Sequence, residues 1–440
     1  MKNGKTDGWE ASDYLKWYNA YDLFLKKQGF LKAFPSVDSL TLAMGNVSYY
    51  YQGRMIENIR INNVVDGYAV NGWESMKLEN HSGIVDNYRN PKGDINLIAR
   101  YNRPLYVAVK MNRKVLPVGG STVVDFHLVN EANLKGEYLL RTSVSDSKGK
   151  TIIIHTWPVK VAGGKTYGEL LTQGWEIPVN TTGYSTVKAE LIKNGKTIAT
   201  GDDRIFAVKT NYPDLKAVGM VADSSGILQR FLSAKGYSTK KYESGTPEGD
   251  YLLVGSFEPQ QSGSGISDIM EWVYSGHTLI IVNNVDHWAD FLAEKEVLDY
   301  RGSKKLGTSW FGGNYFVKDH PLFEGLPVNC VFNWEYQCFA TYNRKRIGLR
   351  LFNGETVVGC VSDHKEEVYS ALSIIPAGRG NIILCALDMF FCIEDVKPVK
   401  KIVDVEGENA SMNTFNSTEN NQANVVGQRL LFNMLKWSVK

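Results

Sequence analysis

Two hydrophobic periodicities alternate along this chain of 440 residues. Near the N-terminus apolar and aromatic positions recur at helical spacing, Tyr14, Trp17, Tyr18, Tyr21 and Leu25, with Ser12 placed to cap the first turn and Gly29 where a helix stops. This predicts an amphipathic helix with one buried face. After a loop containing Pro35, a second helix is expected from about Val47 to Ile61, with Tyr51, Met55, Ile56 and Ile59 on one side and Arg54, Glu57 and Arg60 on the other. Asn62-Asn63 ends it. Gly67-Tyr68-Ala69-Val70-Asn71 then reads as a short buried strand, followed at once by the polar and aromatic Gly72-Trp73-Glu74-Ser75. Helix, buried strand and functional-looking loop is the grammar of an α/β repeat.

From about Leu105 the period changes to two. Val124, Phe126 and Leu128 alternate with Asp125 and His127, and Tyr138, Leu140, Thr142 and Val144 share one side of a later strand. Turn signals recur at Gly119-Gly120, Ser147-Lys148-Gly149, Gly163-Gly164 and Asn194-Gly195, and the last of these lies between Leu191-Ile192 and Thr197-Ile198 as a hairpin. An immunoglobulin-like β-sandwich is therefore expected over 104–209. Asn211-Tyr212-Pro213-Asp214 reads as a linker, after which strands and helices alternate. The expected elements are Ala217 to Val221, a helix from Ile227 to Lys235, Tyr251 to Val254, a helix from Ile266 to Tyr274, Thr278 to Val282, a strand Asn381 to Cys385 and a closing helix Gln428 to Trp437. This predicts a doubly wound α/β domain over 210–440, interrupted by a polar insertion from Glu406 to Asn424.

Composition narrows the function. Lys and Arg number 49 against 47 Asp and Glu, a net charge of +2, and no basic block marks a phosphate-binding surface, so nucleic acid is not an expected partner. The hydrophobic share of 43% and charged share of 22% suit a folded multidomain protein. No stretch is long and apolar enough to span a membrane, and residues 1 to 8 lack the apolar core of a signal peptide. The five cysteines, Cys330, Cys338, Cys360, Cys385 and Cys392, are odd in number and show no CxxC spacing, so buried free thiols are expected and neither a metal nor a cofactor is called for.

The loop after Val70 is the best place for chemistry, because in a barrel of alternating strands and helices the active site forms at the strand C-termini. Asn71, Trp73 and Glu74 stand there as candidate substrate-binding residues: an indole can stack on a sugar face while an amide or carboxylate binds hydroxyls. Trp73 capping the barrel core and Glu74 as a solvated charge is the competing reading. Glycoside hydrolysis needs two carboxylates, and Asp66, Glu79 and Asp86, the other acids nearby, do not form an evident pair with Glu74. In the last domain Gly219 to Gly226 joins strand to helix but matches no phosphate-loop pattern. The elbows at Gly255-Ser256-Phe257-Glu258 and Asn283-Asn284-Val285-Asp286 carry no Cys for amidotransfer, Ser256 lacks a GxSxG context, and His277, His287, His320 and His364 read as structural.

Three stretches resemble a known family: Tyr49 to Asn58, Val65 to Glu74, and Ser82 to Gly93 with its Arg89-Asn90-Pro91-Lys92. In this order they are similar to the end of the TIM-barrel domain of glycoside hydrolase family 2, the β-galactosidase and β-glucuronidase relatives. The resemblance implies that Tyr51 to Ile61 is the seventh barrel helix, Gly67 to Asn71 the last strand with Trp73 in the sugar subsite, and Asp94 to Tyr101 the eighth helix. A sandwich followed by a glutamine-amidotransferase-like domain is similar to the C-terminal appendages of some bacterial members. Residues 1–103 would then be a partial barrel, 104–209 the sandwich and 210–440 the appended domain.

The sequence departs from the family where the catalytic acids belong. Residues 1–45 contain no Asn-Glu pair, and their one Glu, Glu10, precedes a helix rather than ending a strand. The resemblance therefore implies a chain that begins inside the loop after strand seven of a retaining exo-acting β-glycosidase and lacks the catalytic carboxylate pair. Carbohydrate is the expected ligand, and such relatives are commonly exported. A non-catalytic carbohydrate-binding or assembly module is the alternative. A partial barrel is also expected to expose Tyr14, Trp17, Tyr21 and Met55 and to self-associate through them.

Overall fold

In the computed structural model, residues 11–63, 65, 67–70, 83–86, 88–164, 166–212, 215–258, 265–306, 315–339, 346–362, 367–393 and 424–439 are described. The first helix, α1, runs Ala11–Lys27, and α2 runs Val37–Arg60 rather than starting near Val47. Its earlier start is set by Ser36 and Ser39, whose side chains each accept the other's backbone N–H at 3.1 Å in a reciprocal cap. Gly45, inside α2, lets the helix approach the chain at Lys92 so closely that a Cβ there would lie 1.8 Å from the Lys92 carbonyl oxygen. Tyr49 further ties this loop to α2: its hydroxyl donates to the Ile84 carbonyl and accepts the Lys92 N–H at 3.0 Å. The helix expected from Asp94 to Tyr101 is a single turn, α3, Asn96–Ala99.

Two expectations for this region are corrected. Residues 67–70 are exposed and belong to no strand, so the expected buried strand is not formed over these described residues. Tyr21 is not exposed: α1 and α2 lay their apolar faces on the last domain, where Phe316, Val331 and Val361 complete a core with Tyr21, Leu25, Phe30, Phe34, Leu40 and Met44. Trp17 and Met55 are half-buried, and the side chain of Tyr14 lies outside the described residues. Phe316 is the hub, with ring centroids 5.1 Å from Phe30, 5.8 Å from Phe34 and 6.0 Å from Phe24.

The eight strands that follow are β1 (Leu105–Met111), β2 (Val115–Pro117), β3 (Gly120–Asn130), β4 (Gly136–Ser145), β5 (Thr151–Val161), β6 (Gly168–Val179), β7 (Gly183–Lys193) and β8 (Lys196–Val208). They form two sheets, β1-β3-β6 and β2-β8-β7-β4-β5. Val107, Val124, Phe126, Leu128, Leu140, Val187 and Leu191 meet between them, as the period of two requires. Asn194 and Gly195, both with positive φ, make the β7-β8 hairpin.

The last part contains β9 (Gly219–Ala222), α4 (Ile227–Ala234), β10 (Thr239–Lys241), β11 (Tyr251–Val254), α5 (Gly265–Tyr274), β12 (Thr278–Ile281) and α6 (Val285–Glu294). It continues with β13 (Tyr300–Lys305), β14 (Tyr315–Val317), β15 (Cys330–Val331), β16 (Ile347–Leu351), β17 (Glu355–Val361), β18 (Val368–Ala377), β19 (Gly380–Cys385), α7 (Met389–Ile393) and a closing helix, Asn424–Ser438. The parallel strands lie in the order β10-β9-β11-β12-β19, and residues along each alternate between two cores: Val221, Leu253, Ile280 and Ile383 face one, Met220, Leu252, Leu279 and Ile382 the other. The sequence did not signal that this sheet extends through antiparallel β18, β17, β14 and β15. The chain as a whole is of mixed α and β class, and none of its described helices is long and apolar enough to cross a membrane.

Because fully buried Phe316 is the ring on which Phe24, Phe30 and Phe34 pack, Phe316→Ala is expected to cost about 3–5 kcal/mol. Urea unfolding followed by Trp emission should show a correspondingly lower midpoint for the whole chain; an unchanged midpoint would mean that the N-terminal helices do not depend on the last sheet.

Candidate functional site

The candidate residues Asn71, Trp73 and Glu74, and the nearby acids Asp66 and Glu79, lie outside the described residues. The residues that flank them in sequence are described. Before them, the Tyr68 hydroxyl donates to Asn102 Oδ1. After them, Asp86 folds the Arg89-Asn90-Pro91-Lys92 loop: its carboxylate accepts the backbone N–H groups of Tyr88 at 2.9 Å and Asn90 at 2.8 Å, and the Asn90 side chain as well. An acid so engaged builds a turn rather than holding a reacting proton. Asp94 accepts the Asn96 N–H at 3.0 Å at the start of α3.

Glu57 belongs to a buried ionic cluster where α2, the sandwich and the last domain meet. Arg54 Nη1 lies 2.8 Å from Glu57 and 3.3 Å from Asp203; Lys114 Nζ lies 2.7 Å from Asp203 and donates to the Tyr50 hydroxyl at 2.6 Å. Lys114 also sits 4.3 Å above the centre of the Trp334 ring, and Lys110 reaches Glu57 at 3.4 Å. Burial opposes ionisation of Asp203, but Lys114 and Arg54 outweigh it and hold the carboxyl down at about 2. Burial likewise opposes the charge on Arg54, and Glu57 and Asp203 more than offset it. These groups neutralise one another, so the cluster is a joint between parts of the fold. Beside it, buried Glu335 accepts the Tyr184 hydroxyl at 2.7 Å with Arg204 only 4.0 Å away, and burial raises its pKa.

In the last domain strand order reverses between β9 and β11, whose C-terminal ends are the usual ligand position in open α/β sheets. Asp223 fills it from within. Its carboxylate accepts the N–H groups of Ser225 at 3.2 Å, Leu228 at 2.9 Å and Ser256 at 3.1 Å, as well as the Ser225 hydroxyl at 2.7 Å. The donors that would greet an anion at the start of α4 are thus satisfied internally. Neither elbow carries a Cys. Burial pushes the Cys330 and Cys385 thiols up to about 12 and raises Cys360 and Cys392 too, which keeps all four protonated and poorly nucleophilic.

Among the histidines, His277 stacks on Trp272 at 4.6 Å and His320 accepts the Leu322 N–H, both structural roles. His287 is exposed, 3.7 Å from Glu258, and His364 lies outside the described residues. Among the described residues no group of three or more His, Cys, Asp or Glu side chains could hold a metal.

Sequence reasoning missed the ionic joint. Its one available signal was parity: in β8, Asp203 falls on the same side as Gly201 and Ile205, which places an acid among inward positions.

No known family description matches the chain, and no curated protein matches it. Solved structures resemble parts of it. A glycosyl hydrolase family 2 member from Bacteroides cellulosilyticus DSM 14838 aligns at 13% identity over 44% of this chain and 34% of its own, with a TM-score of 0.20. The β-glucuronidase of Parabacteroides merdae aligns at 13% identity over 40% of this chain and 23% of its own, with a TM-score of 0.18. A CARDB domain from Pyrococcus furiosus covers 24% of this chain and 87% of its own at 12% identity and a TM-score of 0.18. The structural neighbours of the chain therefore include glycoside hydrolases, at low identity, and the chain spans about a third or less of the length of the two described here.

Glu335 supplies a test of the joint. Its folded pKa is raised, so its contribution is full below the unfolded value of about 4.3 and is lost as pH rises through the folded value. Glu335→Gln, which never ionises, should therefore be more stable than the parent at pH 7 and lose that advantage towards pH 4 in urea titrations. An equal difference at both pH values would show that the carboxyl is not titrating in the joint.

Proposed function

We propose that this chain is the carbohydrate-handling C-terminal part of a glycoside hydrolase of family 2 type, directed at β-linked glycans, and that on its own it does not hydrolyse them. The stretches Tyr49 to Asn58, Val65 to Glu74 and Ser82 to Gly93, in this sequence order, support the family reading. Asn71, Trp73 and Glu74 are the residues assigned to the sugar.

The observation that carries the absence of hydrolysis is the employment of the acids. Over residues 11–103, Glu57 is locked in the ionic joint, and Asp86 and Asp94 are turn and cap acceptors. Asp13 and Asp22 pair with Lys16 and Lys26 on the surface of α1, and Asp38 sits in the first turn of α2, where the helix dipole favours a negative charge. Each acid among the described residues of this stretch thus has a structural role, while glycosidases of this type need two carboxyls about 5–5.5 Å apart.

The purified chain should release no p-nitrophenol above the buffer rate from the β-glucoside, β-galactoside, β-mannoside or β-glucuronide. Release that Glu74→Gln abolishes would contradict this reading, because it would place a working acid in the loop.

A further inference from the structure

The sandwich is open along the side where its outer strands β5 and β6 face each other, although the inward residues at the two ends of that side are buried. On β5 the inward residues Val159 and Val161 are buried, as are Ile177 and Val179 on β6. Further along the same strands the alternation continues but the burial stops. Trp157 and Trp175 project between the sheets and remain half-exposed, and His155, two residues before Trp157 on the same face, is exposed. β5 and β6 are the outer strands of their sheets, so no further strand covers this side.

The rings here form a corner. His155 lies 4.1 Å from Trp157, and the two indoles meet at 5.5 Å and 81°. Fully buried Phe126 makes the floor, 6.0 and 5.9 Å from the two indoles. The fold builds this corner by a local device. The β3-β6 register shifts around Phe126, Gly174 takes φ +77°, and its N–H donates to Asp125 Oδ1 at 2.8 Å. A bulge of this kind re-aims one side chain, here Trp175 towards Trp157. The other inward positions include Ile153, Leu171, Thr142, paired with His155, and Thr172, paired with Phe126, so the lining carries no Lys, Arg, Asp or Glu.

We propose that this aromatic mouth is a binding site for a neutral oligosaccharide. The perpendicular indoles offer faces to the C–H surfaces of a pyranose, and the exposed imidazole and the half-buried Thr172 hydroxyl meet its hydroxyl groups. An ionic ligand finds no counter-charge in this lining. A protein partner needs about 800 Å² on each side, and the mouth is only two indoles and an imidazole wide. The inference deepens the proposed function, from which it takes the choice of β-linked sugars.

The test titrates the full chain with cellohexaose, mannohexaose and xylohexaose, followed by indole emission and calorimetry. At least one should saturate with a Kd tighter than about 1 mM. Trp175→Ala should weaken that binding about tenfold or more, a loss of about 1.4 kcal/mol. His155→Ala, at an exposed position where folding is not at stake, should weaken it several-fold, and Ile154→Ala, on the opposite face of β5, should leave it unchanged. Equal binding by the parent, His155→Ala and Trp175→Ala would overturn the site while leaving the proposed function standing. Saturation by none of the three hexaoses would also overturn it, whatever the aryl glycoside assay shows.

Discussion

Asp203 sets the condition on which the arrangement of the parts depends. A carboxylate in the protein interior must be neutralised where it stands, and the two cations that do so come from different elements, Arg54 from α2 and Lys114 from the turn between β1 and β2. Lys114 in turn rests on Trp334 of the last domain. Helix and sandwich therefore share one cluster of charges, on which the α/β sheet rests through Trp334, and removing the Lys114 side chain would strip Asp203 of its nearest cation, at about 3–5 kcal/mol. The aromatic packing of Phe24, Phe30 and Phe34 on Phe316 holds the other side of α1 and α2 to the same sheet. The loop of Asp86 and Lys92, anchored through Tyr49 and Gly45, inherits its position from α2.

Much of the fold was legible because local patterns and tertiary packing agree. The period of two gave the sandwich strands, Asn194-Gly195 gave the hairpin, and the short apolar runs at Tyr251 and Thr278 gave the parallel strands to within a residue. The failures have physical causes. The start of α2 is hard to read because its capping residue at the third helical position is Ser39 rather than Glu or Gln. The antiparallel strands from Tyr300 to Ala377 were lost because many are short, and their partners are distant in sequence. Gly67 to Val70 has the composition of a buried strand, but a strand requires a neighbour.

Sites were less legible than folds, because a site is made by side chains from separate segments. Glu57 looked like a solvent-facing charge on the polar side of a helix, and only the approach of Lys110 and the Asp203 cluster shows why it is buried. Asp223 appeared within a glycine-flanked turn that could have held an anion, yet its own carboxylate takes those donors. The mouth of His155, Trp157 and Trp175 joins two strands of different sheets and was invisible to spacing. What the sequence did carry was the family likeness of Tyr49 to Gly93, and with it the expectation of a sugar ligand.

The central claim is that this chain holds β-linked carbohydrate without cleaving it. Affinity electrophoresis of the purified chain through gels containing glucomannan or xylan, with reducing ends assayed in the same gel slices after incubation, measures both halves at once. Retardation in at least one polysaccharide with no gain in reducing ends is the predicted result. Retardation with accumulating reducing ends, or free migration in both gels, would contradict the account.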